Sequence, residues 1–195
     1  MIFIAFFGIY FKTLYTFRLI FSYTSSMKDI EKDKLEKLLE IIPSYPALCI
    51  AHFSESGEMM TEILSDFRQK KGYEYQINCT KSSFYDAMLS KYKDIKEVKP
   101  IKFALERPRY MMQGKMYEYL FVTTVIDEAM RSDFLKKAHG IIKNAGHILI
   151  FLPKGSYEER YNWTTLLEEH YYVASNTIDD LFENYDIIIS KKMHG

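Results

Sequence analysis

The residues of this chain that could do chemistry gather around one stretch, Ala47-Leu48-Cys49-Ile50-Ala51-His52-Phe53-Ser54-Glu55-Ser56-Gly57-Glu58-Met59-Met60. A short apolar run leads into a turn of small residues and then into the start of an amphipathic helix. In an open α/β sheet, ligands bind at such carboxyl ends of strands. His52 stands at the mouth of that turn. A residue that titrates near neutrality offers a general base or a substrate contact there, and a structural or solvent-facing histidine is the plainer reading. A pyrophosphate would rest on the free N–H groups of the helix start, but Glu55 and Glu58 lie at that end and repel it, so a dinucleotide cofactor is disfavoured. No set of His, Cys, Asp or Glu has metal-ligand spacing, and no Gly-x-Ser-x-Gly turn offers a nucleophile. Glu106-Arg107-Pro108-Arg109 reads either as a contact for an anionic substrate or as a solvated loop. The lysines from Lys91 to Lys102 alternate with Asp94 and Glu97, which marks a solvated face and not a phosphate track. The methionines at 59, 60, 111 and 112 read as core or gap-filling residues.

These residues need a scaffold, and the apolar periodicity supplies one. Leu35, Leu38, Leu39 and Ile42 recur at helical spacing over Ile30 to Ile42, which Pro43 and Pro46 end. Ala47 to Phe53 predicts a first strand covered on both faces. Ser54 or Ser56 can cap the next helix, which buries Met59, Met60, Ile63, Leu64 and Phe67 and closes at Gly72. Strands are predicted at Tyr73–Cys79, Ile101–Leu105, Tyr117–Thr124, His147–Leu152, Tyr171–Asn176 and Tyr185–Lys191. A short helix starts at Ser82 or Ser83 with Phe84, Met88 and Leu89 inward, and Lys91 to Lys99 reads as a charged loop. The clearest helix, Glu128 to Asn144, carries Phe134, Leu135, Ala138, Ile141 and Ile142 and stops at Gly146. Tyr157 to His170 is the last helix. Strand and helix alternate from Ala47 to Leu167, which predicts βαβ units and a mostly parallel sheet. The short link from Asp179 to Asn184 suits a hairpin return, so one edge is expected to be antiparallel.

Composition bounds the rest. The 195 residues suit one domain with a sizeable core, and 26 basic residues balance 26 acidic ones. That balance excludes a domain-wide electrostatic footprint for nucleic acid. Cys49 and Cys79 fall in predicted strands, which points to two reduced thiols in a reducing compartment such as the cytoplasm and not to a disulfide framework. Met1 to Ser26 stands apart: it is apolar and aromatic, with Lys12 and Arg18 inside it, and from Met27 the chain turns abruptly to Lys, Asp and Glu. Three readings of this extension are open. It is an upstream stretch with Met27 the true start, a membrane-surface or weakly spanning anchor through residues 1–23, or an extra strand or helix packed on the domain that spans 27–195.

The chain resembles the class I S-adenosylmethionine-dependent methyltransferases over roughly Ile30 to Lys192. Tyr117-Glu118-Tyr119-Leu120-Phe121-Val122 is similar to their fourth strand. The run from Phe134 to Ile150 is similar to the helix, turn and strand that follow. Tyr185-Asp186-Ile187-Ile188-Ile189-Ser190-Lys191-Lys192 is similar to their terminal strand. The resemblance implies a Rossmann-like α/β fold with a seven-stranded sheet, mostly parallel, its last strand antiparallel and helices on both faces. It implies S-adenosylmethionine as cofactor, no metal, and a cofactor site at Ala51, His52, Phe53, Ser54, Gly57, Asn78, Glu106 and Thr123, with Thr123 and Thr124 lining the reaction site. It names neither the methyl acceptor nor the oligomeric state. The family's acid at the first strand falls on Cys49, its first two glycines fall on Ala51 and Phe53, and Gly57 is displaced by two residues. The acid that ends the second strand is replaced by Asn78, while Glu106 fits the acid that follows the third. No Asn-Pro-Pro-Tyr follows the fourth strand. Two functions from different classes are compatible with this pattern: a divergent methyltransferase, in which positioning suffices for transfer, and a relative without catalysis that serves as a binding or scaffolding module.

Overall fold

A computed structural model describes residues 30–110 and 116–193. The N-terminal extension, Met111 and Met112 lie outside the described residues. The elements in order are α1 (Lys32–Leu39), β1 (Cys49–Ser54), α2 (Glu58–Lys71), β2 (Glu74–Cys79), α3 (Ser82–Tyr92), β3 (Val98–Lys102), β4 (Tyr117–Val122), α4 (Glu128–His139), β5 (Ile142–Pro153), α5 (Tyr157–Glu169), β6 (Tyr172–Ile178) and β7 (Tyr185–Lys192). The seven strands form one sheet in the order β3-β2-β1-β4-β5-β7-β6. Strands β1 to β5 run parallel, and β7 runs antiparallel to both β5 and β6. The fold is therefore the seven-stranded α/β sheet with a reversed last strand that the sequence predicts.

Each face of the sheet has its own core. On one, Leu35, Leu39, Met60, Leu64 and Met88 from α1, α2 and α3 cover Ile50, Ile77 and Phe121. On the other, Phe134, Leu135, Trp163 and Leu167 from α4 and α5 cover Ala51, Phe53, Leu120 and Ile150. Alternation along a strand sends neighbours to opposite faces, so His52 and Phe53 belong to different cores. Among the described residues no helix is long and apolar enough to cross a membrane.

Four expectations need correction. Strand β3 lies three residues earlier than predicted and contains Pro100, paired in register with Ile77. A proline without an N–H is tolerated because β3 is an edge strand. The charged loop before it shrinks accordingly, since α3 runs on to Tyr92. Neither Ser54 nor Ser56 caps α2. The N-cap is Gly57, in the left-handed region at φ 90° with no side-chain cap, a conformation that favours glycine. Met59 and Leu89, expected inward, are 38% and 43% exposed.

The largest correction concerns α4, which ends at His139 and not at Asn144. Ile141 and Ile142 keep the helical spacing, so the pattern reads straight through the stop. The stop is set from a distance: Lys192 Nζ donates to the carbonyls of His139 and Ile142, each at 2.8 Å. Gly146 then sits inside β5, where Tyr117 pairs with Ile142 but Tyr119 already pairs with His147. A methyl group on Gly146 would meet Ile142 Cγ2 at 2.7 Å and two backbone carbonyls at 2.9 Å. Gly146→Ala is therefore expected to cost about 1–3 kcal/mol through overpacking, read as a lowered urea midpoint. A loss under about 0.5 kcal/mol would show that the bulge relaxes freely.

Candidate functional site

The direction of the chain's connections reverses between β1 and β4, and the crevice at the carboxyl ends of such neighbouring strands is where open α/β sheets take ligands. Ala51, His52, Phe53 and Ser54 all lie on β1 and all are fully buried. The backbone ties the turn after them to both neighbours. Thr80 N donates to the Ser54 carbonyl at 2.9 Å, while Thr123 N and Thr124 N donate to the Phe53 carbonyl at 2.9 and 3.1 Å. The structure thus brings Ala51, His52, Phe53, Ser54, Asn78 and Thr123 to the ends of β1, β2 and β4, with Gly57 opening α2 beside them. Glu106 is exposed in the loop after β3.

His52 is enclosed on the α1–α3 side. Its Nδ1 lies 2.9 Å from the Tyr75 hydroxyl and its Nε2 lies 2.7 Å from Thr123 Oγ1. Among the described residues nothing but Nδ1 accepts the Tyr75 proton, which fixes the neutral Nε2–H tautomer. The chain then runs in one direction: Tyr75 donates to Nδ1, Nε2 donates to Thr123 Oγ1, Thr123 donates to Ser54 Oγ at 3.1 Å, and Ser54 donates to the Ser56 carbonyl. Burial pushes the imidazole pKa down to about 3. At neutral pH His52 is an uncharged strut that shapes the turn, and its ring nitrogens are both taken. Thr123 is likewise committed inward. Thr124 Oγ1 and Thr80 Oγ1 pair at 2.9 Å on the same rim.

The opposite side of β1 is aromatic. The Phe53 ring meets Phe103 at 5.0 Å and Phe134 at 5.5 Å, both edge to face, and Tyr110 at 5.7 Å. Tyr110 also packs edge to face on Phe103 at 5.0 Å and donates to the Leu105 carbonyl at 2.8 Å. The cations Arg107 and Lys137 lie over the Phe103 and Tyr110 rings at 5.0 and 5.4 Å. Burial, with the nearby acids Asp133 and Glu106 adding to it, raises the Tyr110 phenol above its ordinary range. A glycine at position 53 would leave this space open; the phenylalanine fills it with the chain's own rings.

Asn78, the last residue but one of β2, is fully buried. Tyr117 donates to Gln76 Oε1 at 2.8 Å, and Gln76 Nε2 donates to Asn78 Oδ1 at 2.8 Å. Asn78 Nδ2 has no hydrogen-bond partner. The acids at the helix start are neutralised at the surface: Glu55 pairs with Lys81 at 3.3 Å and Glu58 with Lys91 at 3.7 Å. Among the described residues no three His, Cys, Asp or Glu side chains gather as a metal site. Tyr75, Gln76 and Tyr117, which orient His52 and Asn78, are not singled out by sequence. Their only signal is a polar end on a residue of a central strand.

No family profile matches the sequence, and no curated protein does. Solved structures do. The chain is similar to a TehB-like S-adenosylmethionine-dependent methyltransferase from Corynebacterium glutamicum, with a TM-score of 0.63 and 12% identity over 93% of this chain and 96% of that one. It is similar to an S-adenosylmethionine-dependent O-methyltransferase from Thermotoga maritima, with a TM-score of 0.65 and 13% identity over 90% of this chain and 70% of that one. It is also similar to the CurJ carbon methyltransferase, with a TM-score of 0.61 and 14% identity, covering 82% of this chain and 52% of that one, so the chain spans about half the length of that protein. These likenesses show the class I methyltransferase fold.

Proposed function

We propose that this chain is a divergent S-adenosylmethionine-dependent methyltransferase. The observation that carries the reading is the fully buried Asn78, which lies near the carboxyl end of β2 where the family has its ribose-binding acid and holds an amide N–H with no partner. A buried donor left unmade costs about 1–3 kcal/mol, and a bound nucleoside supplies the missing acceptor. The surrounding polar groups fit an uncharged nucleoside better than a phosphate. They are the uncharged hydroxyls of Ser54, Thr80, Thr123 and Thr124. When bound, the cofactor supplies a methyl group on a sulfonium leaving group. The chain's own part is to hold acceptor and sulfonium in line and dry, which positioning alone can do. The acceptor is not specified by any group at the site.

A second reading is favoured by Phe53. Its ring stands where the family has a glycine that lets backbone approach the cofactor, and three further rings lock it there. In that reading the fold serves as a binding module without methyl transfer. Calorimetry with S-adenosylmethionine and S-adenosylhomocysteine separates the two. The methyltransferase reading expects saturable binding of both. Absence of heat or thermal shift at millimolar ligand would leave the binding module as the better account.

A further inference from the structure

An open groove of about 460 Å³ runs between the C-terminal end of α1, the loop that follows it and the C-terminal half of α2. Leu39, Ile42, Ile63 and Phe67 form its apolar floor. Its walls are tied in place: the Tyr73 hydroxyl donates to the Pro43 carbonyl at 3.1 Å, and Lys71 Nζ donates to Ser44 Oγ at 2.6 Å. Exposed acids stand on both sides, Glu36 and Glu40 along α1 and Asp66 on α2, with Lys70 and Lys71 at one end. Neighbouring acids are paired, Glu31 with Lys34 at 2.9 Å and both Glu58 and Glu62 with Lys91. Among the described residues Glu36, Glu40 and Asp66 have no ion-pair partner.

One segment of this chain outside the described residues matches the groove in both respects. Residues 1–26 carry two cations, Lys12 and Arg18, and no acid, and Leu14, Tyr15 and Phe17 lie between those cations. The described chain starts at Ile30, immediately before α1. The link from Arg18 to Ile30 can span up to about 40 Å when extended, whereas α1 is about 12 Å long. The link therefore reaches the groove, and such a tether holds its segment at roughly millimolar effective concentration. We infer that the groove is the docking site of residues 12–18 of the same chain. Leu14 and Phe17 cover the apolar floor, and Lys12 and Arg18 meet the carboxylates of Glu36, Glu40 and Asp66. The groove adjoins the end of α2 remote from Gly57, so docking leaves the candidate cofactor site open.

The test is NMR on the full natural chain, with the Leu and Ile methyl groups and the Phe rings labelled. The expected result is NOE contacts from the Phe17 ring to the methyl groups of Leu39, Ile42 and Ile63, unchanged when the chain is diluted. Glu40→Lys combined with Asp66→Lys, both at exposed positions, should lower the docked-to-undocked ratio roughly three- to tenfold, the worth of two surface ion pairs. An unchanged ratio overturns the part given to the carboxylates. Groove methyl groups with no contact to residues 12–18 overturn the docking itself, and flotation of such a chain with vesicles of phosphatidylcholine and phosphatidylserine would assign the segment to a membrane surface instead. Contacts seen only between differently labelled copies also overturn it, because the occupant is then a second chain. The NOE arm uses the natural chain, so a variant that fails to fold does not spoil the test.

Discussion

Replacing Phe53 with alanine should lower the unfolding free energy by about 3–5 kcal/mol, the cost of a phenylalanine removed from a packed core. The ring is fully buried and touches three other rings at centroid separations of 5.0 to 5.7 Å. Each edge-to-face contact adds to the area it buries. The residues it meets come from three separate places: Phe103 follows β3, Tyr110 lies further along that loop, and Phe134 is on α4. They are held by packing and not by the chain connecting them, so the vacated space is expected to persist in part as a cavity. The backbone need not change, because the Phe53 carbonyl keeps its bonds from Thr123 and Thr124 in the alanine variant. Urea denaturation reads the loss as a shifted midpoint at constant slope. A loss below about 1 kcal/mol would mean that the cluster does not organise this end of the sheet. The same variant carries a second expectation. If the ring is what excludes the cofactor, S-adenosylhomocysteine should raise the melting temperature of Phe53→Ala more than that of the natural chain.

That double role explains which features could be read from sequence. The strand-turn-helix at β1 was legible because an apolar run, small residues and helical periodicity are local signals. The same locality allowed α1, α2 and α5 to be placed to within a few residues, and the hairpin return into β7 followed from the shortness of its link. What escaped depends on distant partners. The end of α4 is set by Lys192, some 50 residues away. Strand β3 is displaced because a proline is penalised only when its missing N–H faces a neighbour, and edge position is a property of the sheet. At the site, the residue types on β1 and β2 were visible, but their states were not. The sequence allows His52 to be a base or a structural histidine, and Tyr75 and Thr123, which no local pattern reveals, make it a neutral strut. Asn78 stands where the family has an acid, and its hydrogen bond with Gln76 is not visible in the sequence. Phe53 stands where the family has a glycine, and the rings that enclose it come from segments up to 81 positions away.

The stability of the protein should fall steeply in acid, and His52 should account for most of the slope that one residue can give. The unfolded chain takes up a proton on this imidazole as the pH drops through about 6.5, whereas the folded chain does not until about 3. A group whose folded pKa is depressed in this sense is neutral and without effect above the unfolded value. Below it, the unfolded state binds the extra proton and is favoured. Stability is thus intact above about pH 6.5 and declines by about 1.4 kcal/mol per pH unit below it, roughly 3 kcal/mol by about pH 4.5. Protonation has nothing to gain in the fold. The ring is fully buried, the Tyr75 hydroxyl already donates to Nδ1, and a second N–H there would leave that hydroxyl proton without an acceptor. His139 and His147 are also lowered by burial, with Lys192 and Lys191 adding to it, so the measurement must be differential. His52→Gln keeps a donor to Thr123 but carries no titrating group. At neutral pH it should lose about 1–2 kcal/mol, because Tyr75 is left unpaired. As the pH falls towards 4.5 its stability should decline less steeply than that of the natural chain, so that the two curves converge or cross. Parallel curves from about pH 7 to 4.5 would mean that His52 is protonated in the folded state, and with it the one-way chain from Tyr75 through Thr123 to Ser54 would be lost as the account of how this turn is held.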